Sequence, residues 1–201
     1  MRDYDGKTAD QRVADRRARL VEAGTELFGE HGYAGTSIRS VLRQSGLRDR
    51  YFGESFADLD SLLGAVYAQL IDELVETCRV AIESTIGGSE GARAMIEAIT
   101  KSLADSPARA RIKLREVISA GPVSLAERHD GHQKLAQLIA DLLPRSATVT
   151  PRDRILLGRG VIAAADDLLL AWLDNESNVS REDVVELVMV FFDAVADSVR
   201  G

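Results

Sequence analysis

Arg39, Arg43, Arg48 and Arg50 flank the tripeptide Gln44-Ser45-Gly46, and Tyr51 follows the last of them. A guanidinium carries its N–H donors in a planar fork that matches a phosphate or the acceptor edge of guanine, so such residues on two short segments suit contact with nucleic acid. Thr36 and Ser37 stand as capping hydroxyls before the apolar positions Ile38, Val41 and Leu42, and a capped helix amino terminus offers N–H groups to an anion. The spacing predicts a helix of about two turns, a tight break, and a second short helix from Arg48 to Glu54, which are helix-turn-helix dimensions. Two short helices around a glycine also occur as plain packing elements, and exposed arginines also occur as solvated charges. Spacing alone leaves both readings open.

Other candidate chemistry is weaker. His129 and His132 stand at i, i+3, a separation that can aim two imidazoles at one metal, but Gly131 weakens the helix and no third ligand accompanies them. Residues Gly158 to Ala163 match G-x-G-x-x-A in letters, yet no strand pattern precedes them and they fall within a helical stretch, which argues against a dinucleotide. Asp166 and Asp167 interrupt the most apolar helix, where an unpaired carboxylate is costly. The expectation is that one faces water while the other pairs with an arginine such as Arg159 or bonds the backbone; a ligand cation is the alternative. The sequence contains no serine elbow, phosphate loop or catalytic carboxylate pair, so it points to no catalytic residue, metal or cofactor and reads as a binding protein rather than an enzyme. The single cysteine, Cys78, excludes an intrachain disulfide and agrees with a reducing compartment.

The elements that must position these residues are helical. Leu20, Ala23, Leu27 and Phe28 recur at helical spacing from Val13 to a stop at Gly32. Asp58 can cap a long helix carrying Leu62, Leu63, Val66, Tyr67, Leu70, Ile71, Leu74 and Val75, which Gly87-Gly88 ends or loosens. Ser106-Pro107 and Thr150-Pro151 each place a capping hydroxyl before a proline at the first helical position, and Ser180 with Asp183 resembles a capping box. Gly121-Pro122 and Leu143-Pro144 divide the middle, giving an all-α chain of about nine helices with no sheet, repeat or low-complexity tail. The helices over 155–173 and 184–199 are apolar nearly all round. A 201-residue chain has little interior in which to bury both, so the pattern predicts a homodimer formed through these last two helices.

Charge narrows the partners without choosing one. The net charge is −7, which excludes a generally basic nucleic-acid coat. The first 60 residues are close to neutral, and eight of their ten basic groups fall in two clusters, Arg12, Arg16, Arg17 and Arg19, then Arg39, Arg43, Arg48 and Arg50. The apolar runs fall well short of the ~20 residues of a membrane span, the polar amino-terminal stretch MRDYDGKTAD has no apolar signal region, and the sequons at Asn175 and Asn178 lack a secretory context. The expected location is cytoplasmic.

The run RLVEAGTELFGEHGYAGTSIRSVLRQSGL, with Phe56 and the D-x-x-L-L of Asp60 to Leu63 after it, resembles the amino-terminal domain of the tetracycline-repressor (TetR) family of bacterial transcriptional regulators. The resemblance covers about residues 12–65; the rest is similar only in length and helical layout. It implies a three-helix DNA-binding domain over residues 1–57 and a helical ligand-binding and dimerisation domain over 58–201. It further implies a ligand-responsive dimer, a repressor by expectation, that binds a palindromic double-stranded operator, with an unidentified small-molecule effector. By register it places Thr36, Ser37 and Tyr51 on phosphates, and Arg39, Arg48, Arg50 and Glu54 on or beside base edges. Large apolar or amphipathic groups on the corresponding helices, Tyr67, Ile71, Met95, Ile99, Ile118, His129, Leu169 and Trp172, are expected to line the effector pocket. The chain departs from the family at Gly53, Ser55 and Leu59, where Tyr, His and Lys are usual phosphate contacts, and at Leu42, where a small alanine is common. These departures motivate an alternative, a helical small-molecule-binding dimer with a degenerate DNA-binding head.

Overall fold

The computed structural model describes residues 8–175 and 178–200. Most of the polar amino-terminal stretch and part of the Asn175 sequon lie outside the described residues. Within them the chain is helical and contains no strand: α1 (Ala9–His31), α2 (Ile38–Ser45), α3 (Asp49–Gly53), α4 (Leu59–Glu83), α5 (Gly88–Asp105), α6 over 107–119, α7 (Pro122–Leu142), α8 (Pro151–Leu173) and α9 (Arg181–Arg200). Helix α6 runs on through Pro107–Arg111, a π-helical turn Ile112–Glu116 and Val117–Ser119.

Local chemistry explains most boundaries. Ser37, Asp58 and Thr150 cap α2, α4 and α8 by accepting from the amides of Ser40, Ser61 and Asp153, and Ser180 and Asp183 exchange the bonds of a capping box before α9. Helix α1 starts earlier than its apolar spacing suggests. The Thr8 hydroxyl accepts from Gln11 N, and the Gln11 side chain returns a bond to Thr8 N at 2.8 Å, so a polar capping box extends the helix four residues before Val13. Gly46 closes α2 at φ 65°, a left-handed conformation that glycine adopts without a Cβ clash.

Two apolar cores meet along α4. Leu20, Leu27, Phe28, Val41, Leu42, Phe52 and Phe56 pack against Leu62, Leu63 and Val66 from the first half of α4. Tyr67, Ile71, Leu74 and Cys78 from its second half join α5 to α9 in the larger core. One rigid helix therefore belongs to both units, and each fully buried leucine on it contributes roughly 1.5–3 kcal/mol. Gly131 and Gly158 lie where α7 comes close to α4 and α8. A Cβ on Gly131 would lie 3.0 Å from Ile71, and one on Gly158 would lie 2.4 Å from the Ala136 carbonyl oxygen. The G-x-G-x-x-A letters thus lie inside α8, and Gly158 serves helix packing.

Helices α8 and α9 are not buried all round. Val161, Ile162, Ala165 and Leu169 of α8 and Val184, Val188, Met189 and Phe192 of α9 face the core. Their outer faces expose Leu156, Gly160 and Ala163, then Leu187, Val190 and Phe191, with Val190 65% and Phe191 49% exposed. No helix among the described residues is long and apolar enough to cross a membrane.

Candidate DNA-binding head and effector cavity

Helices α2 and α3 stand on the head core through Val41, Leu42 and Phe52, which are buried. Leu42 fills this contact, and the core accommodates it in place of a smaller residue. The same docking leaves Ser37, Arg39, Arg43, Arg48 and Arg50 exposed around the turn. Arg39, Arg43 and Arg48 form no ion pair with any described residue. Arg50 donates to the Tyr51 hydroxyl at 2.6 Å and stacks over its ring at 4.6 Å, while Arg16 of α1 stacks over that ring at 4.5 Å. The hydrogen bond from Arg50 draws the Tyr51 phenol below its ordinary pKa.

Two expected contacts have different settings from those the register implied. Thr36 is buried and its hydroxyl donates to the Gly32 carbonyl at 2.8 Å, so its side chain braces the α1–α2 connection instead of facing outward. Glu54 accepts from Arg16 at 3.1 Å, which ties α3 to α1. Leu59 packs against the head core, and Gly53 is exposed, with nothing within 4 Å of the position a Cβ would take. Sequence reasoning missed the role of α1: Arg16 supports Tyr51 and Glu54, Arg17 lies over Phe56 at 4.4 Å, and Arg19 donates to the Ser45 carbonyl. The signal was the cluster Arg16, Arg17 and Arg19, whose partners lie more than 25 residues away in sequence.

Two buried carboxylates tie helices together near the junction of the head and the larger unit. Asp60 accepts from Val123 N at 2.8 Å, Ser124 N at 3.0 Å and Ser124 Oγ at 2.6 Å, capping α7 from the start of α4. Burial works against its charge, but these three bonds outweigh it and hold its pKa below the ordinary value. Glu116, at the end of the π turn, accepts from Tyr33 N at 2.6 Å and pairs with Arg111 at 2.8 Å.

In the larger unit Tyr67, Ile71, Ile99 and Leu169 converge on an inner cavity of about 30 Å³, with Leu74, Lys113, His132, Leu135, Ile162 and Asp166. Burial, reinforced by Asp166, raises the Tyr67 phenol above its ordinary pKa. Met95 lies in a neighbouring space of about 20 Å³ beside Phe192, and Trp172 is half-buried against the core. Ile118 and His129 do not join them. The π turn inserts an extra residue, so Val117 faces inward and Ile118 is 47% exposed; the buried face of α7 runs through Gly131, Leu135 and Ile139 and leaves His129 in solvent. His132 lies 3.0 Å from Asp166, which Arg128 also contacts at 2.8 Å, so the two histidines serve different surroundings. The partner of Asp166 is thus Arg128 and not Arg159, and Asp167 is exposed. No group of three His, Cys, Asp or Glu among the described residues is arranged to hold a metal.

Comparison with solved structures matches this arrangement along nearly its whole length. A TetR transcriptional regulator from Rhodococcus sp. RHA1 superposes with a TM-score of 0.67 at 16% identity, covering 90% of this chain and 95% of that one. The chain has the TetR-family fold. A second TetR-fold neighbour is the transcriptional regulator FadR from Bacillus subtilis, solved in complex with stearoyl-CoA, with a TM-score of 0.70 at 14% identity over 89% of this chain and 97% of that one. By sequence the chain is similar to the HTH-type transcriptional activator FasR of Mycolicibacterium smegmatis, 22% identical over 177 residues, or 88% of this chain and 81% of that protein. No protein-family model matches the chain.

Proposed function

We propose that the chain is a ligand-responsive, dimeric transcriptional regulator that binds a palindromic DNA operator through two helix-turn-helix heads and acts by binding alone. The observation that carries this reading is the set of exposed guanidiniums Arg39, Arg43, Arg48 and Arg50 around α2 and α3, the first three without acidic partners among the described residues. Cations left unpaired on a head whose core is otherwise satisfied suit phosphate oxygens and guanine edges. In this reading residues 1–57 form the head, residues 58–201 hold the effector and the partner, and the site of action is the cytoplasm. A symmetric contact through Leu156, Leu187, Val190 and Phe191 covers the apolar outer faces of α8 and α9 and sets the spacing of the heads.

Repression follows if the effector favours the DNA-free form. A hundredfold preference supplies about 2.7 kcal/mol of coupling per site, enough to empty an operator at modest ligand excess. That FasR is a transcriptional activator and that FadR was solved with stearoyl-CoA supports a DNA-binding, ligand-carrying reading of the fold. Gel shift on genomic fragments, at stated salt and with random DNA as competitor, tests the proposal: a salt-sensitive, sequence-selective shift supports it. A second reading, a helical ligand-binding dimer with a degenerate head, draws on Gly53 having no side chain and on Leu59 packing inward. Absence of any selective shift from a folded dimer favours that reading.

A further inference from the structure

Lys113 lies in the π turn of α6 and is only 7% exposed. Its ammonium has one hydrogen bond, a long one of 3.5 Å to Ser102 Oγ, and no carboxylate within ion-pair distance among the described residues. A charged group taken out of water with so little compensation is costly. Burial, and secondarily the neighbouring charge of Arg109, draws its pKa down to about 8, which still leaves it cationic at neutral pH.

The surroundings give that cation a use. Lys113 and Leu74 stand between the inner cavity and an open cleft of about 520 Å³ formed by α4, α5 and α6. That volume falls in the range of small-molecule sites, whereas the inner cavity holds about one water. Of the charged residues lining the cleft, Arg109 pairs with Glu73 at 3.0 Å and Lys101 with Asp105 at 2.5 Å. Lys113 is left over at the floor, so the cleft carries one uncompensated positive charge. Leu70, Leu74, Val80, Ala81 and Ala98 supply an apolar wall beside it.

We propose that the effector is a singly anionic amphiphile whose acidic group sits on the Lys113 ammonium and the Ser102 hydroxyl while its hydrocarbon part lies along the Leu70–Leu74–Val80 wall of the cleft. This rests on the ligand-responsive reading above and names the effector's class and its anchor. The turn that carries Lys113 also carries Glu116, which binds Tyr33 N between α1 and α2. A ligand that draws Lys113 toward the cleft therefore acts on the segment that holds the head, and a π turn is a place where a helix can change register.

Calorimetric titration of the full chain with decanoate, decan-1-ol and decylamine, each below its solubility limit and any micellar concentration, tests the inference. The expected result on the wild type is decanoate binding at least tenfold tighter than decan-1-ol, with decylamine the weakest. Lys113→Met should bring decanoate and decan-1-ol to within about twofold without weakening decan-1-ol, and Lys113→Arg should keep the preference. Equal affinities of the wild type for decanoate and decan-1-ol, no binding of any probe, or a preference that survives in Lys113→Met overturns it. The wild-type comparison decides even if a variant fails to fold. A protein that binds an operator yet shows no preference for decanoate loses this inference and keeps the regulator reading; one that prefers decanoate and binds no DNA does the reverse.

Discussion

Lys113→Met should stabilise the unliganded protein at neutral pH, and the advantage should shrink as the solution is made alkaline. The ammonium's pKa falls from 10.5 to about 8 on folding, so the fold disfavours its charged form. Below pH 8 both states hold the proton and the fold carries the whole penalty, about 3 kcal/mol at 1.36 kcal/mol per pH unit. Between pH 8 and 10.5 the unfolded chain binds more protons than the native one, so wild-type stability rises with pH relative to the variant. Above 10.5 the penalty is gone. Two buried groups act in the opposite sense: burial raises the Cys78 thiol to about 12 and the Tyr67 phenol beyond its ordinary range, so the unfolded state ionises first and stability is lost above about pH 9. Both are present in the two proteins and cancel in the difference apart from the coupling of Cys78 to Lys113, which the variant lacks. Urea denaturation of wild type and variant at pH 7, 9 and 10.5, at one protein concentration, measures that difference. A variant advantage of a few kcal/mol at pH 7 that declines toward pH 10.5 is expected; a difference that does not change with pH refutes a buried, charged Lys113.

Arg50→Ala should lower operator affinity by roughly 1–3 kcal/mol with a smaller loss on random DNA, because a guanidinium on a base edge is lost only from the specific complex; equal losses on both DNAs would mark a phosphate contact, made by Arg50 itself or by the Tyr51 ring it orders through its 2.6 Å bond. Asp60→Asn should destabilise the protein by roughly 1–3 kcal/mol at pH 7, since three donors on α7 lose a charged acceptor. The Asp60 pKa is lowered on folding, so its stabilisation is present above the unfolded value of 3.8 and lost as pH falls below it; thermal or urea melts whose wild-type-to-variant difference is as large at pH 2.5 as at pH 7 contradict that role. Phe191→Glu, on the 49% exposed outer face of α9, should give a folded monomer by sedimentation; an unchanged dimer places the contact elsewhere. Gly53→Tyr enters open space and should strengthen DNA binding at no cost in melting temperature; weaker binding would mean that α3 approaches DNA too closely for a ring.

The helices were legible because their ends carry local chemistry. Ser37, Asp58, Thr150 and Ser180 act as caps where sequence spacing puts them. The start of α1 was missed because Thr8 and Gln11 are polar and precede any apolar period. The exposed arginines beside α2 follow from the apolar spacing of Val41 and Leu42, but the burial of Phe52, the inward turn of Thr36 and the Arg16–Glu54 pair depend on contacts between helices that periodicity does not encode. In the larger unit the buried side of α4 gave Tyr67 and Ile71. The π turn defeated the same reasoning in α6, because one extra residue brings Val117 inward, turns Ile118 out and buries Lys113, a residue type that composition assigns to the surface.

The measurement that bears most directly on the central claim is footprinting of the full chain on genomic fragments that it retains at stated salt. A protected inverted repeat is expected, with half-sites about one helical turn or a multiple apart and affinity that falls as salt rises. A folded dimer that protects no fragment, or protects all sequences equally, would contradict it.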